Sequence, residues 1–178
     1  MAISLTGAGK GGDVVVMDIP TILIGISQIA VTFLGFIAIF FVFTRRDGRF
    51  SPSDAMMVRT LLNASVVVLF GALIPVAYGL FDLTGAFLWQ VSAATLTVLG
   101  TPGVIANAVL HARMPKDERQ QVAPLHAFGN WSLTLLVFVL GVMVMAGWAG
   151  AEVYVLALII SLFVATLNFV TILLKRIL

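Results

Sequence analysis

Cysteine is missing from all 178 residues. That excludes disulfides, thiolate nucleophiles, iron–sulfur clusters, zinc–thiolate sites and palmitoylation. Charge is nearly as scarce: 10% of residues are Asp, Glu, Lys or Arg, against 61% hydrophobic. A soluble domain carries about 25% charged residues, because water must cover its surface. The chain therefore reads as an integral membrane protein. A third scarcity lies inside the hydrophobic stretches, where no Asp, Glu, Lys or Arg sits deep. Proton pumps and many ion-coupled transporters rely on such a group, so that mechanism is disfavoured.

What remains is a series of long apolar runs. A hydrocarbon layer about 30 Å thick needs roughly 20 apolar residues of helix. Five stretches meet that length, at about 19–44, 57–81, 85–111, 131–149 and 153–174, with His111 a neutral last member of the third. Residues 1–18, with Gly7, Gly9, Gly11 and Gly12, are too polar for the apolar core of a signal peptide and read as a flexible extracytoplasmic tail. The expected fold is all-α: a single bundle of five transmembrane helices over 19–178.

Orientation follows from the basic residues. With the N-terminus outside, Arg45, Arg46, Arg49, Arg59, Arg113, Lys116, Arg119, Lys175 and Arg176 all fall in the cytoplasm. Only Lys10 stays outside, beside Asp13, Asp18, Asp82 and Glu152. The C-terminus is then cytoplasmic. Tyr78, Trp89, Trp148 and Tyr154 would sit at the outer interface and Trp131 at the inner one. Ser51-Pro52-Ser53-Asp54 supplies an N-cap, a proline at the first helical position and a capping carboxylate for the second helix.

The polar residues within the spans are amides and hydroxyls. Asn63, Asn107 and Asn168 lie four to seven residues inside Arg59, Arg113 and Lys175, about 6–10 Å from the cytoplasmic boundary. Gln28 and Gln90 belong to the outer half. In the third helix Gln90, Ala94, Thr97, Thr101, Val104, Asn107 and His111 recur in steps of three or four, so they share one face. Thr21, Gly25, Gln28, Thr32 and Gly35 repeat this in the first helix, and Thr101-Pro102-Gly103 should kink the third. The fourth helix, aliphatic from Leu133 to Met145, is the expected lipid-facing one.

Two readings of the stripes stand side by side. Small and hydroxyl residues let helices approach closely, and amides act as glue between them. Alternatively the third helix, helped by the first, lines a hydrated path in a homo-oligomer. Gln28, Thr32, Gln90, Thr97, Thr101, Asn107, Asn63 and Asn168 would then form its polar layers, with selectivity set by dipoles and constriction.

Other motifs carry less. Gly7-Ala8-Gly9-Lys10-Gly11-Gly12 lacks the spacing and the strand–helix context of a phosphate loop. His111 and His126 bracket a loop with Asp117 and Glu118, without a third ligand or nucleophile at a recognisable spacing. No catalytic residue, metal ligand or cofactor is assigned, and nothing supports nucleic-acid binding. Arg45, Arg46 and Arg49 set topology and suit anionic lipid headgroups.

The stretch Ser27-Gln28-Ile29-Ala30-Val31-Thr32-Phe33-Leu34-Gly35-Phe36, followed by Arg45-Arg46, Gly48 and Asp54, resembles the first hairpin of a family of small uncharacterised bacterial membrane proteins. The resemblance covers about the first 80 residues. It implies a multi-pass protein of the bacterial inner membrane and no activity. Three functional classes follow: a homo-oligomeric channel or pore-like protein, a non-catalytic accessory subunit of a larger membrane complex, and an interfacial enzyme or haem protein using His111. The first is the leading expectation and the second its alternative.

Overall fold

The computed structural model describes residues 2–3, 17–47, 52–113 and 124–177, with side chains at 18–40, 55–113 and 129–174. Five helices carry the chain: α1 Ile19–Asp47, α2 Pro52–Gly79, α3 Gly85–Arg113, α4 Pro124–Met145 and α5 Ala151–Ile177. Ahead of them Ala2–Ile3 (β1) pairs antiparallel with Met17–Asp18 (β2). Ile19–Phe40, Ala55–Gly79, Gly85–Arg113 and Ala151–Leu174 are each long and apolar enough to cross a membrane. The described apolar part of α4, Gly129–Met145, is shorter.

The helices begin and end where local chemistry dictates. The second starts at Pro52, whose missing N–H costs nothing in a first turn. It ends in a Schellman-type cap, with Asp82 N–H on Gly79 O at 3.2 Å and Leu83 N–H on Tyr78 O at 3.3 Å. The fourth helix stops at Met145, short of the expected Ala149. Gly147 adopts φ 77°, a left-handed conformation that glycine takes without strain. Its N–H bonds Val144 O at 3.0 Å and Trp148 N–H bonds Met143 O at 3.0 Å, which closes that helix early. Helix α3 continues through Pro102 and α2 through Pro75.

Packing sorts the helices into a centre and a periphery. Helices α2 and α5 lie against each other most extensively, and α1 packs beside them, chiefly on α2. On the opposite side α3 packs on α2, α4 packs on α5, and α3 meets α4. Two apolar clusters hold this together. One joins all five helices through Leu23, Ala30, Val68, Ala72, Ala93, Val144, Tyr154 and Leu158. The second, Ile37, Met57, Val58, Leu61, Ala165 and Ile172, involves α1, α2 and α5 and draws nothing from α3 or α4 among the described residues. Fully buried Ala30, Ser65, Ser92 and Ala165 mark close helix approaches. Outward faces carry large apolar side chains such as Phe36, Val98 and Leu135, a surface suited to lipid and unlike that of a soluble monomer.

Candidate binding cavity

Because α3 and α4 join only the first cluster, the ring α2–α3–α4–α5 is not filled along its length. It encloses a cavity of about 400 Å³. On α3 the lining includes Ala93, Leu96, Thr97, Gly100, Thr101, Val104 and Asn107, which share one face of the helix. From Ala93 to Asn107 that wall covers about 21 Å at about 1.5 Å per residue. Polar side chains from the other walls are Thr60 and Asn63 of α2, Asn130 and Thr134 of α4, and Ser161 of α5. The remaining wall is aliphatic and aromatic, including Val67, Val137, Leu158 and Trp131.

The hydroxyl groups share one hydrogen-bonding habit. Thr97 donates to Ala93 O at 2.8 Å, Thr101 to Thr97 O at 2.6 Å, and Thr134 to Asn130 O at 2.8 Å. Thr60 and Ser161 likewise donate to Met56 O at 3.0 Å and Ala157 O at 2.9 Å. Each proton is committed to its own helix, as expected for hydroxyls in an apolar setting.

The amides are connected differently. Asn107 Nδ2 donates to Thr60 Oγ1 at 3.3 Å, tying α3 to α2, while its buried Oδ1 has no partner. Asn168 Nδ2 donates to Asn130 Oδ1 at 2.9 Å and to Val164 O at 2.8 Å, tying α5 to α4. Asn63 lies over Gly103, where a Cβ would overlap its carboxamide and have to displace it.

Aromatic side chains gather at the Trp89 end of the cavity. Tyr154 lines the cavity there and donates to Gly71 O at 2.7 Å. Trp89 packs on it with ring centroids 5.6 Å apart, and Tyr78 Oη lies 2.9 Å from Thr95 Oγ1. Toward the Arg113 end Trp131 meets His111 edge-on, at 6.4 Å between centroids. The side is partly open. Ile105 on α3 and Leu135 and Phe138 on α4 belong to the cavity wall yet are 58%, 64% and 51% exposed. The cavity thus reaches the outer surface along the α3–α4 seam.

Of the polar residues singled out in the sequence, Thr97, Thr101, Asn107 and Asn63 meet at this cavity. Asn168 joins it through Asn130. Gln90 does not line it and lies near enough to Gly147 that a Cβ there would sit 2.6 Å from Gln90 Nε2. Gln28 and Thr32 stand apart, exposed on α1, and α1 contributes no described residue to the wall. Two expectations need correction. The fourth helix is not purely lipid-facing, because Asn130, Trp131, Thr134 and Gly141 turn inward; its apolar half hid a three- and four-residue stripe. Tyr154 is not an interfacial belt residue either, since it is 2% exposed and bonded to α2.

The sequence pattern does not single out Thr60, Asn130, Thr134 and Ser161, which the structure brings to the wall. Asn130 falls one residue before the estimated span, although α4 begins at Pro124. Arg45 and Arg46 end α1 with side chains outside the described set, as is that of His126, and Arg49 lies outside the described residues. Among the described residues no three His, Asp or Glu side chains come together. No protein family, curated protein or solved structure matches the chain.

Proposed function

We propose that the protein is a channel or pore-like protein of the bacterial inner membrane, and that its path is the cavity inside each protomer. The observation that supports it most is that the Thr97, Thr101 and Asn107 stripe borders empty volume, with Asn107 also bonded to Thr60 of α2. Five spans, with the N-terminus outside and the C-terminus cytoplasmic, fit the distribution of basic residues. The Arg113 end is then the cytoplasmic mouth and the Tyr154 end the outer one. Among the described residues no Asp, Glu, Lys or Arg lines the cavity, so the solute is small and uncharged, handled by dipoles and by constriction.

Flux of glycerol and urea into proteoliposomes tests this reading. Thr97→Leu and Thr101→Leu fill the cavity and lower flux while the helical content stays as in wild type. Equal flux in all three proteins would remove it.

A second reading keeps one observation of its own. Gln28 and Thr32 are exposed on α1, where hydrocarbon leaves an amide without partners. A helix of a second copy, or of another subunit, would cover them, as an accessory role in a larger complex requires. Native mass spectrometry of gently extracted protein distinguishes a homo-oligomer from a one-to-one complex with another polypeptide.

A further inference from the structure

The hydrogen bonds of the cavity wall say what kind of molecule it accepts. Thr60, Thr97, Thr101, Thr134 and Ser161 have each given their proton to a carbonyl of their own helix. Their remaining capacity is lone pairs, of which one on Thr60 already accepts from Asn107 Nδ2. The Asn63 and Asn130 carboxamides lie among them and bring N–H groups. A guest that both donates and accepts, as a hydroxyl does, matches this wall. An ammonium would donate as well, but no carboxylate among the described residues lines the cavity to offset its loss of water. Most of the wall is apolar, and a cavity of about 400 Å³ lies in the size range of small-molecule sites. Ile105, Leu135 and Phe138 make its side opening apolar, so the way in at the α3–α4 seam lies through lipid.

We propose that the guest is a neutral, lipid-soluble alcohol or phenol, entering sideways between α3 and α4 and donating its hydroxyl to the threonine stripe. This rests on the cavity being the working site and names the class of molecule it takes. An equally apolar molecule without a hydroxyl proton would leave the wall's acceptors unmatched, which costs more than the bond itself is worth.

The test uses 4-bromophenol and its methyl ether, 4-bromoanisole, whose bromine quenches indole fluorescence on contact. The protein is held in nanodiscs with Trp89→Phe and Trp148→Phe, which leaves Trp131, a wall residue, as reporter. With concentrations corrected for partition into lipid, the phenol is expected to quench at about fivefold lower concentration than the ether, the preference one neutral hydrogen bond supplies. Thr101→Leu, which fills the site, and Thr134→Val, which keeps shape and removes a hydroxyl, both lower that preference. Equal quenching by the two probes would overturn the assignment, and so would a preference unchanged in both variants. Flux with equal quenching would leave the path standing and remove the guest class. A phenol preference without flux would do the reverse.

Discussion

The Tyr154 hydroxyl donates to the Gly71 carbonyl, at 2.7 Å, and Gly71 stands four residues before Pro75 on α2. Proline has no N–H, so the helical bond that would have used this carbonyl is missing. A side chain of α5 takes its place, at one end of the cavity. Losing that hydroxyl strands a buried carbonyl, at a cost of about 1–3 kcal/mol.

Tyr154→Phe should therefore lower stability by about that amount, measured by unfolding in mixed micelles. Pro75→Ala restores an N–H to the same carbonyl, so the double variant should be less destabilised than the sum of the two single ones. Strict additivity would mean that the two residues do not share the Gly71 carbonyl.

Asp82 caps α2 at φ 59°, where an L side chain costs about 1–2 kcal/mol. Asp82→Gly should raise the unfolding midpoint, and Asp82→Val should lower it below wild type. A destabilised glycine variant would show that the carboxylate, and not the backbone, matters there.

Ser65 Oγ is buried on α2 and has no hydrogen-bond partner in the structure. Ser65→Ala removes an unmatched polar group at nearly constant shape, so stability should hold or rise by up to about 1 kcal/mol. A clear loss on thermal unfolding would reveal a partner for that hydroxyl.

Absence of cysteine makes single-cysteine labelling free of background. Thr84→Cys should react with a membrane-impermeant maleimide in intact cells, and Lys116→Cys only after permeabilisation. The opposite pattern would invert the bundle and exchange the two ends of the cavity.

Much of the fold was legible in the sequence because lipid imposes simple rules. Long runs without charge become helices, and Pro52 marks the start of α2 as its chemistry requires. The Thr97, Thr101 and Asn107 stripe was legible as well, since a three- and four-residue rhythm survives without any knowledge of neighbours. What faces the stripe was not legible. A threonine rhythm reads the same whether it meets another helix, a second copy or empty space, so the wall contributed by Thr60, Asn130, Thr134 and Ser161 was invisible. The separation of α1, which takes Gln28 and Thr32 away from the cavity, depends on α2 and α5 packing together at the centre. Tyr154 reads as an interfacial aromatic until Pro75 is seen to leave a carbonyl for it, and those residues are remote in sequence.

Copy number per vesicle decides whether the path lies inside one protomer. Proteoliposomes prepared over a dilution series, down to less than one copy per vesicle, are scored for glycerol flux vesicle by vesicle. An intraprotomer path predicts that the conducting fraction follows the fraction holding at least one copy, with Thr101→Leu inactive throughout. A conducting fraction that rises as a higher power of copy number, or no flux at any density, would contradict it.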